Sequence, residues 1–202
     1  MRKKLLLVPM LAVLPMFGGE VGLLLDKQIG KAQAAAFGPF GTTKSFDAVS
    51  PTGLGIRGGV DILDLKVAAL QLNATWHNKT TGDITTGGTK YGELDNQYWA
   101  AGAMVNWKLL VNVGAGVEYR SEKQTWRQSS DASALGSGDA TQGRTWARVN
   151  VGFSIPTPVV SPFFTLEVAA PITKKDASNV PKDFAEALAP QLQIGIYGGI
   201  RF

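Results

Sequence analysis

From Gln191 to Phe202 the even positions are Leu192, Ile194, Ile196, Gly198, Ile200 and Phe202, and the odd ones are Gln191, Gln193, Gly195, Tyr197, Gly199 and Arg201. A period of two puts these sets on opposite faces of an extended strand, one greasy and one polar. The same separation recurs over Gly53–Ile62, Asp64–His77, Tyr98–Trp107, Leu109–Glu122, Arg144–Ile155 and Pro162–Ala170, so seven strands are predicted. No sustained 3.6-residue apolar pattern follows residue 37. The connections alternate in length. Short ones lie near Leu63-Asp64, Lys108-Leu109 and Pro156 to Val160, and long polar ones at Asn78 to Gly92, Lys123 to Gly143 and Thr173 to Ala189. Short turns and long loops therefore occupy opposite ends of the sheet. Parity then requires an eighth strand ahead of Gly53, expected within Phe37 to Ala48.

Eight antiparallel strands left open would expose two unpaired edges, and closure into a barrel removes them. A soluble binding barrel or sandwich would bury the apolar face; a membrane barrel turns it outward. Three features favour the membrane form. The polar face is rich in Gly, Asn, Gln and mid-strand Arg and Glu, which suit a narrow lumen. The apolar face carries a candidate aromatic girdle of Trp76, Trp99, Trp107, Tyr119, Phe153, Phe164 and Phe202. Trp99 and Trp107 are eight residues apart, a climb of roughly 20 Å at about 3.3 Å per residue and a tilt near 40°. The strands are also about as long as a tilted membrane strand needs to be.

The N-terminus reads Met1-Arg2-Lys3-Lys4 and then runs apolar from Leu5 to Phe17, the charge and length of a secretory signal. Ala32-Gln33-Ala34 and Ala34-Ala35-Ala36 both offer small-x-small cleavage sites. The expected division is a cleaved signal helix over 1–36 and one barrel domain over 37–202. Three of the chain's four net positive charges lie in residues 1–36. The remainder is nearly neutral, so no nucleic-acid partner is expected. With no cysteine and a single histidine, His77, thiolate sites, disulfides and multi-imidazole metal sites are excluded. No cofactor is expected.

A signal, alternating strands, loops long at one end and tight at the other, and a terminal Phe202 preceded by Ile200, Ile196 and Ile194 resemble the small bacterial outer-membrane barrels of the OmpA and OmpX type. The resemblance implies an up-and-down eight-stranded transmembrane β-barrel in the bacterial outer membrane. It implies that Ile194, Ile196, Ile200 and Phe202 are read by the barrel-assembly machinery, with turns in the periplasm and loops outside the cell. It does not imply one activity.

Charges of both signs fall on the inward face: Arg57, Asp61, Glu118, Arg120, Arg148, Glu167 and Arg201. A charge left alone in so narrow a lumen is costly, so an ion-pair network is expected there, as a plug or as a gate. His77 is expected at the rim beside Trp76 and Asn78. Lipid A deacylases of similar architecture carry His and Ser two positions apart, whereas Thr75 and Lys79 flank His77 here. No catalytic centre is expected. The loops suit an extracellular ligand or simple shielding, and Pro181 to Leu188 is predicted to be a short helix. The combined reading is a monomer in outer-membrane lipid with a structural or surface-interaction role. The rivals are a minor channel for small or hydrophobic solutes and a lipid-modifying enzyme.

Overall fold

The computed structural model describes residues 18–33, 45–65, 67–108, 111–128, 137–173 and 187–202. The expected helix over Pro181 to Leu188 lies outside these up to residue 186, as does the apolar run Leu5–Phe17. Nine strand segments form one antiparallel sheet: β1 (Gly19–Gln33), β2 (Ser45–Val49), β3 (Gly53–Asp64), β4 (Ala68–Thr86), β5 (Thr89–Lys108), β6 (Asn112–Gln128), β7 (Gly138–Ser154), β8 (Ser161–Pro171) and β9 (Leu192–Arg201). β2 and β3 both pair with β1 on one side and β4 on the other. They make one wall strand broken at Ser50-Pro51-Thr52, where Pro51 has no N–H to give the ladder. Across the break the Ser50 N–H donates to the Gln28 carbonyl at 2.9 Å, and the Gln28 N–H donates to Ser50 Oγ at 2.9 Å. Pairing of β1 with β9 closes eight wall strands into a barrel. Gly19 and Phe202 seal that seam with two reciprocal backbone bonds of 3.0 Å.

The closing strand is not where the sequence reading places it. Parity correctly demands a strand ahead of Gly53, but that strand is Gly19–Gln33, inside the segment expected to be a cleaved signal. Residues 45–49 instead extend β3. Val21, Leu23 and Leu25 face out; Glu20, Leu24, Asp26 and Gln28 are buried. Leu24 turns inward, so the run Leu23-Leu24-Leu25 hides the period of two. Cleavage at residues 34–36 would remove this wall strand from the barrel. A chain starting at Gly18 is expected to refold in detergent as a compact, heat-modifiable band, and one starting at Phe37 to show none. Mobility of boiled and unboiled samples on a gel checks this.

Two of the expected long loops are mostly strand. β4 and β5 continue to a two-residue turn at Gly87-Gly88, both with positive φ (55° and 82°), a conformation glycine adopts without steric cost. β6 runs to Gln128 and β7 starts at Gly138. Alternation persists in these extensions with its sign reversed. Ile84, Leu94, Trp126 and Ala140 point inward and form an apolar cluster with Phe46, Ala48 and Leu188. Beyond the membrane the outside is water, so the greasy face moves to the interior.

Candidate functional site

Below that cluster the outward face is apolar on every wall strand. Leu23, Ile56, Leu72, Trp99, Val117, Val149, Leu166 and Ile194 are each about half exposed, a continuous apolar band of a kind that water-soluble monomers rarely display. Trp76 and Trp99 face each other in register, and the Trp99 ring lies 6.3 Å from that of Tyr119. At the turn end Phe153 and Phe164 are 6.0 Å apart, and Trp107 is opposite Val113. Aromatic rings thus rim the band at two levels, as they do at both interfaces of a bilayer. Phe202, expected in the girdle, is only partly exposed, at the seam beside Gly19. Ile194, Ile196 and Ile200 face outward on β9.

The lumen is polar and filled. Arg57 grips Glu167 with two hydrogen bonds, 2.5 and 2.9 Å, while its Nε donates to Thr75 at 2.8 Å. Arg148 bridges Glu167 (3.7 Å) and Glu118 (2.9 Å), and Arg120 Nε reaches Glu118 at 2.5 Å. Five of the seven charges expected inside therefore form one chain across the barrel. The other two sit apart. Asp61 accepts from Gln71 at 3.1 Å, and Arg201 pairs at 2.9 Å with Glu20. The Arg120 guanidinium stacks on Trp146 at 3.9 Å and faces Tyr98 at 4.5 Å, so its desolvated surface meets aromatic faces.

Several interior groups were not expected. His77 is not at the rim: it is fully buried, with Nε2 2.8 Å from Asp26 and its ring stacked 4.7 Å from Tyr98. Gly53 makes room for it, since a Cβ there would lie 2.6 Å from the imidazole. Its place beside Trp76 decides the side, because neighbours on a strand face opposite ways. Asp26 also accepts from Gln193. A second layer runs Gln142 to Gln124 (3.0 Å), Gln124 to Asn96 (3.2 Å) and Asn96 to Gln28 (2.6 Å), each amide donating to the next. Arg144 donates to Glu122 at 2.5 Å alongside. Among the described residues no group of three His, Asp or Glu is placed to hold a metal.

No protein-family model and no curated protein sequence matches this chain. Solved structures similar to it include Ail, the attachment invasion locus protein of Yersinia pestis, at 10% identity over 92% of this chain and 99% of that one, with a TM-score of 0.48. Neisserial surface protein A is similar at 13% identity over 92% and 95%, with a TM-score of 0.45. The translocator domain of the autotransporter NalP from Neisseria meningitidis follows at 12% identity over 92% and 86%, with a TM-score of 0.35. The likeness is one of fold.

Past the Trp76–Trp99–Tyr119 level the outward face of β4–β6 is charged. Asp95 accepts hydrogen bonds from Arg127 at 2.7 and 3.0 Å, from Thr81 at 2.7 Å and from Lys79 at 3.3 Å. Burial pushes the Asp95 carboxyl up, but these hydrogen bonds more than reverse it and hold it below its ordinary range. Hydrogen bonding from Lys90, reinforced by its charge and by Arg127, lowers Glu93 as well. A carboxylate lowered on folding stabilises the fold above its unfolded pKa, about 4, and that contribution disappears as pH falls through the folded value. Backbone amides of 92–97 are therefore expected to lose hydrogen-exchange protection at acid pH before those of 101–105. Equal loss in both segments would count against this.

Proposed function

We propose that this chain is a closed outer-membrane barrel whose working surface is the four-stranded extension of β4–β7 beyond the bilayer, in an adhesion or ligand-binding role. The observation that carries the reading is the reversal of polarity along those strands. The greasy side is outward up to Trp99 and inward from Leu94, so the extension is a folded, water-facing platform about eight to ten residues long per strand rather than a set of slack loops. Such a platform is preorganised and loses less entropy on binding than a mobile loop. The ion-pair chain and the amide layer cross the lumen beneath it and support a structural plug rather than a solute path. His77 makes its hydrogen bond to Asp26 inside the wall, and the Thr75 hydroxyl two residues away on the same strand is engaged by Arg57, which favours a binding role over lipid modification.

The test uses cells displaying the full chain and cells displaying a variant with residues 80–95 replaced by a short turn. Loss of attachment to host cells or matrix, with the barrel still heat-modifiable, supports the reading, and unchanged attachment contradicts it. Planar-bilayer recording addresses the channel reading. The wild type is expected to be silent, and steady conductance that rises in Arg148→Ala would replace the plug with a path.

A further inference from the structure

The apolar band ends differently at its two extremities. Past Trp76, Trp99 and Tyr119 the outward face turns at once to Lys79, Gln97, Lys123 and Arg127, all exposed. Past Trp107, Phe153 and Phe164 it stays greasy. Leu65, Val111 and Ile155 are each about half exposed, while Val67 and Val159 are 64% and 82% exposed, more than any other large apolar side chain among the described residues. All five lie in or beside the three short connections, β3–β4, β5–β6 and β7–β8. The sequence places Asp64 and Lys66 in the first and Lys108 at the edge of the second, but no charge in Ile155-Pro156-Thr157-Pro158-Val159-Val160. A barrel end washed by water would carry polar groups, not valines, on its most exposed tips.

The turns also keep their backbone polar groups to themselves. The Leu65 N–H donates to the Ala68 carbonyl at 2.8 Å, and the Ile155 N–H to the Pro162 carbonyl at 2.9 Å. The Thr157 N–H donates to Ser161 Oγ at 3.4 Å, and the Thr157 hydroxyl donates to the Val160 carbonyl. Pro156 and Pro158 have no N–H to satisfy. From 155 to 158, therefore, no amide N–H is left for water, which is what entry into an apolar medium demands of a backbone.

Height fixes the occupant. The climb from Trp107 to Trp99 is roughly 20 Å, and the apolar band of an outer-membrane barrel is about 25 Å tall. The remaining stretch of about 5 Å equals two residues of tilted strand. Charge closes the band above Trp99, so the remainder lies below Trp107. Val111 stands two residues past Val113, the partner of Trp107. Val67 stands one residue past Ala68, which also pairs with Trp107, and Ile155 two past Phe153. The exposed aliphatic residues occupy that depth and continue the lipid-facing wall without a break.

We propose that the β3–β4 and β7–β8 turns, with Val111 between them, are wedges seated in the boundary between acyl chains and headgroups of the leaflet at the turn end. Their partner is a phospholipid surface. Leu65, Val67, Ile155 and Val159 enter it, and together they set how deep the barrel rides, so that Lys79 and Lys123 stand at the opposite water boundary. The inference rests on the outer-membrane reading given above.

The experiment folds the full chain carrying Val67→Cys, Val159→Cys, Val117→Cys or Thr125→Cys, each with one bimane label, into phosphatidylcholine vesicles of matching thickness. Heat-modifiable mobility confirms folding. The quenchers are phosphatidylcholines brominated near the carbonyl end or near the methyl end of the chain, and iodide present on both sides of the membrane. Relative to the label at 125, those at 67 and 159 are expected to show about threefold more quenching by carbonyl-end bromine and about threefold less by iodide, as for groups about 5–10 Å into the boundary. The label at 117 should respond most to methyl-end bromine. Iodide quenching at 67 and 159 equal to that at 125, with 117 still quenched by bromine, overturns the wedges and leaves the turn tips to a protein partner. Bromine reaching one turn and not the other overturns their shared seat. Loss of bromine quenching at 117 as well overturns the membrane reading, and the wedges with it.

Discussion

Glu118→Ala is expected to destabilise the barrel by about 3–5 kcal/mol, the cost typical of removing one partner of a buried ion pair. Glu118 is the junction of the lumen chain, accepting from Arg120 at 2.5 Å and from Arg148 at 2.9 Å. Its loss leaves two guanidinium groups facing one another with Glu167 alone to balance Arg57 and Arg148. Arg120 already stacks on Trp146 and Tyr98 and is buried. Glu118→Gln keeps the shape and part of the hydrogen bonding, so a smaller loss is expected. Lys90→Ala, at an exposed pair, should change stability by less than about 1 kcal/mol. Urea midpoints for the folded barrel in lipid vesicles, followed by tryptophan fluorescence, give the comparison. An unchanged midpoint for Glu118→Ala would mean that the lumen is hydrated enough to leave its charges unpaired at little cost.

Val117→Arg is expected to cost about 2–4 kcal/mol, because a cation on the lipid face is most unfavourable at the bilayer midplane. Val117 pairs in register with Ala103, midway between Trp99 and Trp107, and its side is about half exposed. Thr125→Arg on the same strand and the same face stands beyond the aromatic level and should cost about 1 kcal/mol or less. The gradient between the two positions is the informative quantity. Equal costs at both would mean that no hydrocarbon boundary lies between them.

The wall was legible wherever one solvent bathed one face along the whole strand. Seven strands and the inward set of charges follow from alternation alone, because each residue there has oil on one side and a crowded polar lumen on the other. Legibility failed where that condition failed. Gly19–Gln33 carries Glu20 and Asp26, which look anomalous in an export segment and are ordinary on a lumen face, and inward Leu24 erases the alternation around them. In the extensions of β4–β7 the apolar residues Ile84, Leu94 and Trp126 are inside, so a search for an outward greasy face reads polar loops. The turn signal at Gly87-Gly88 was present in the sequence and marks the hairpin once the reversed alternation around it is recognised. Ending its strand at His77 puts that residue at the rim, whereas continuing the alternation from Trp76 turns it inward, and only the fold brings it to Asp26 at 2.8 Å. The pairing partners within the lumen depend on barrel closure, which joins β3 to β8 across a space that no local pattern describes.

The absence of cysteine permits the most direct test, single spin labels placed by Val113→Cys, Val117→Cys and Thr125→Cys in the barrel folded into vesicles. Accessibility to oxygen, which concentrates in hydrocarbon, is expected to exceed accessibility to a water-soluble nickel chelate at 113 and 117, and the order should reverse at 125. Nickel reaching the label at 117, or neither reagent reaching it, would contradict a wall that turns its valines to lipid and its charges inward.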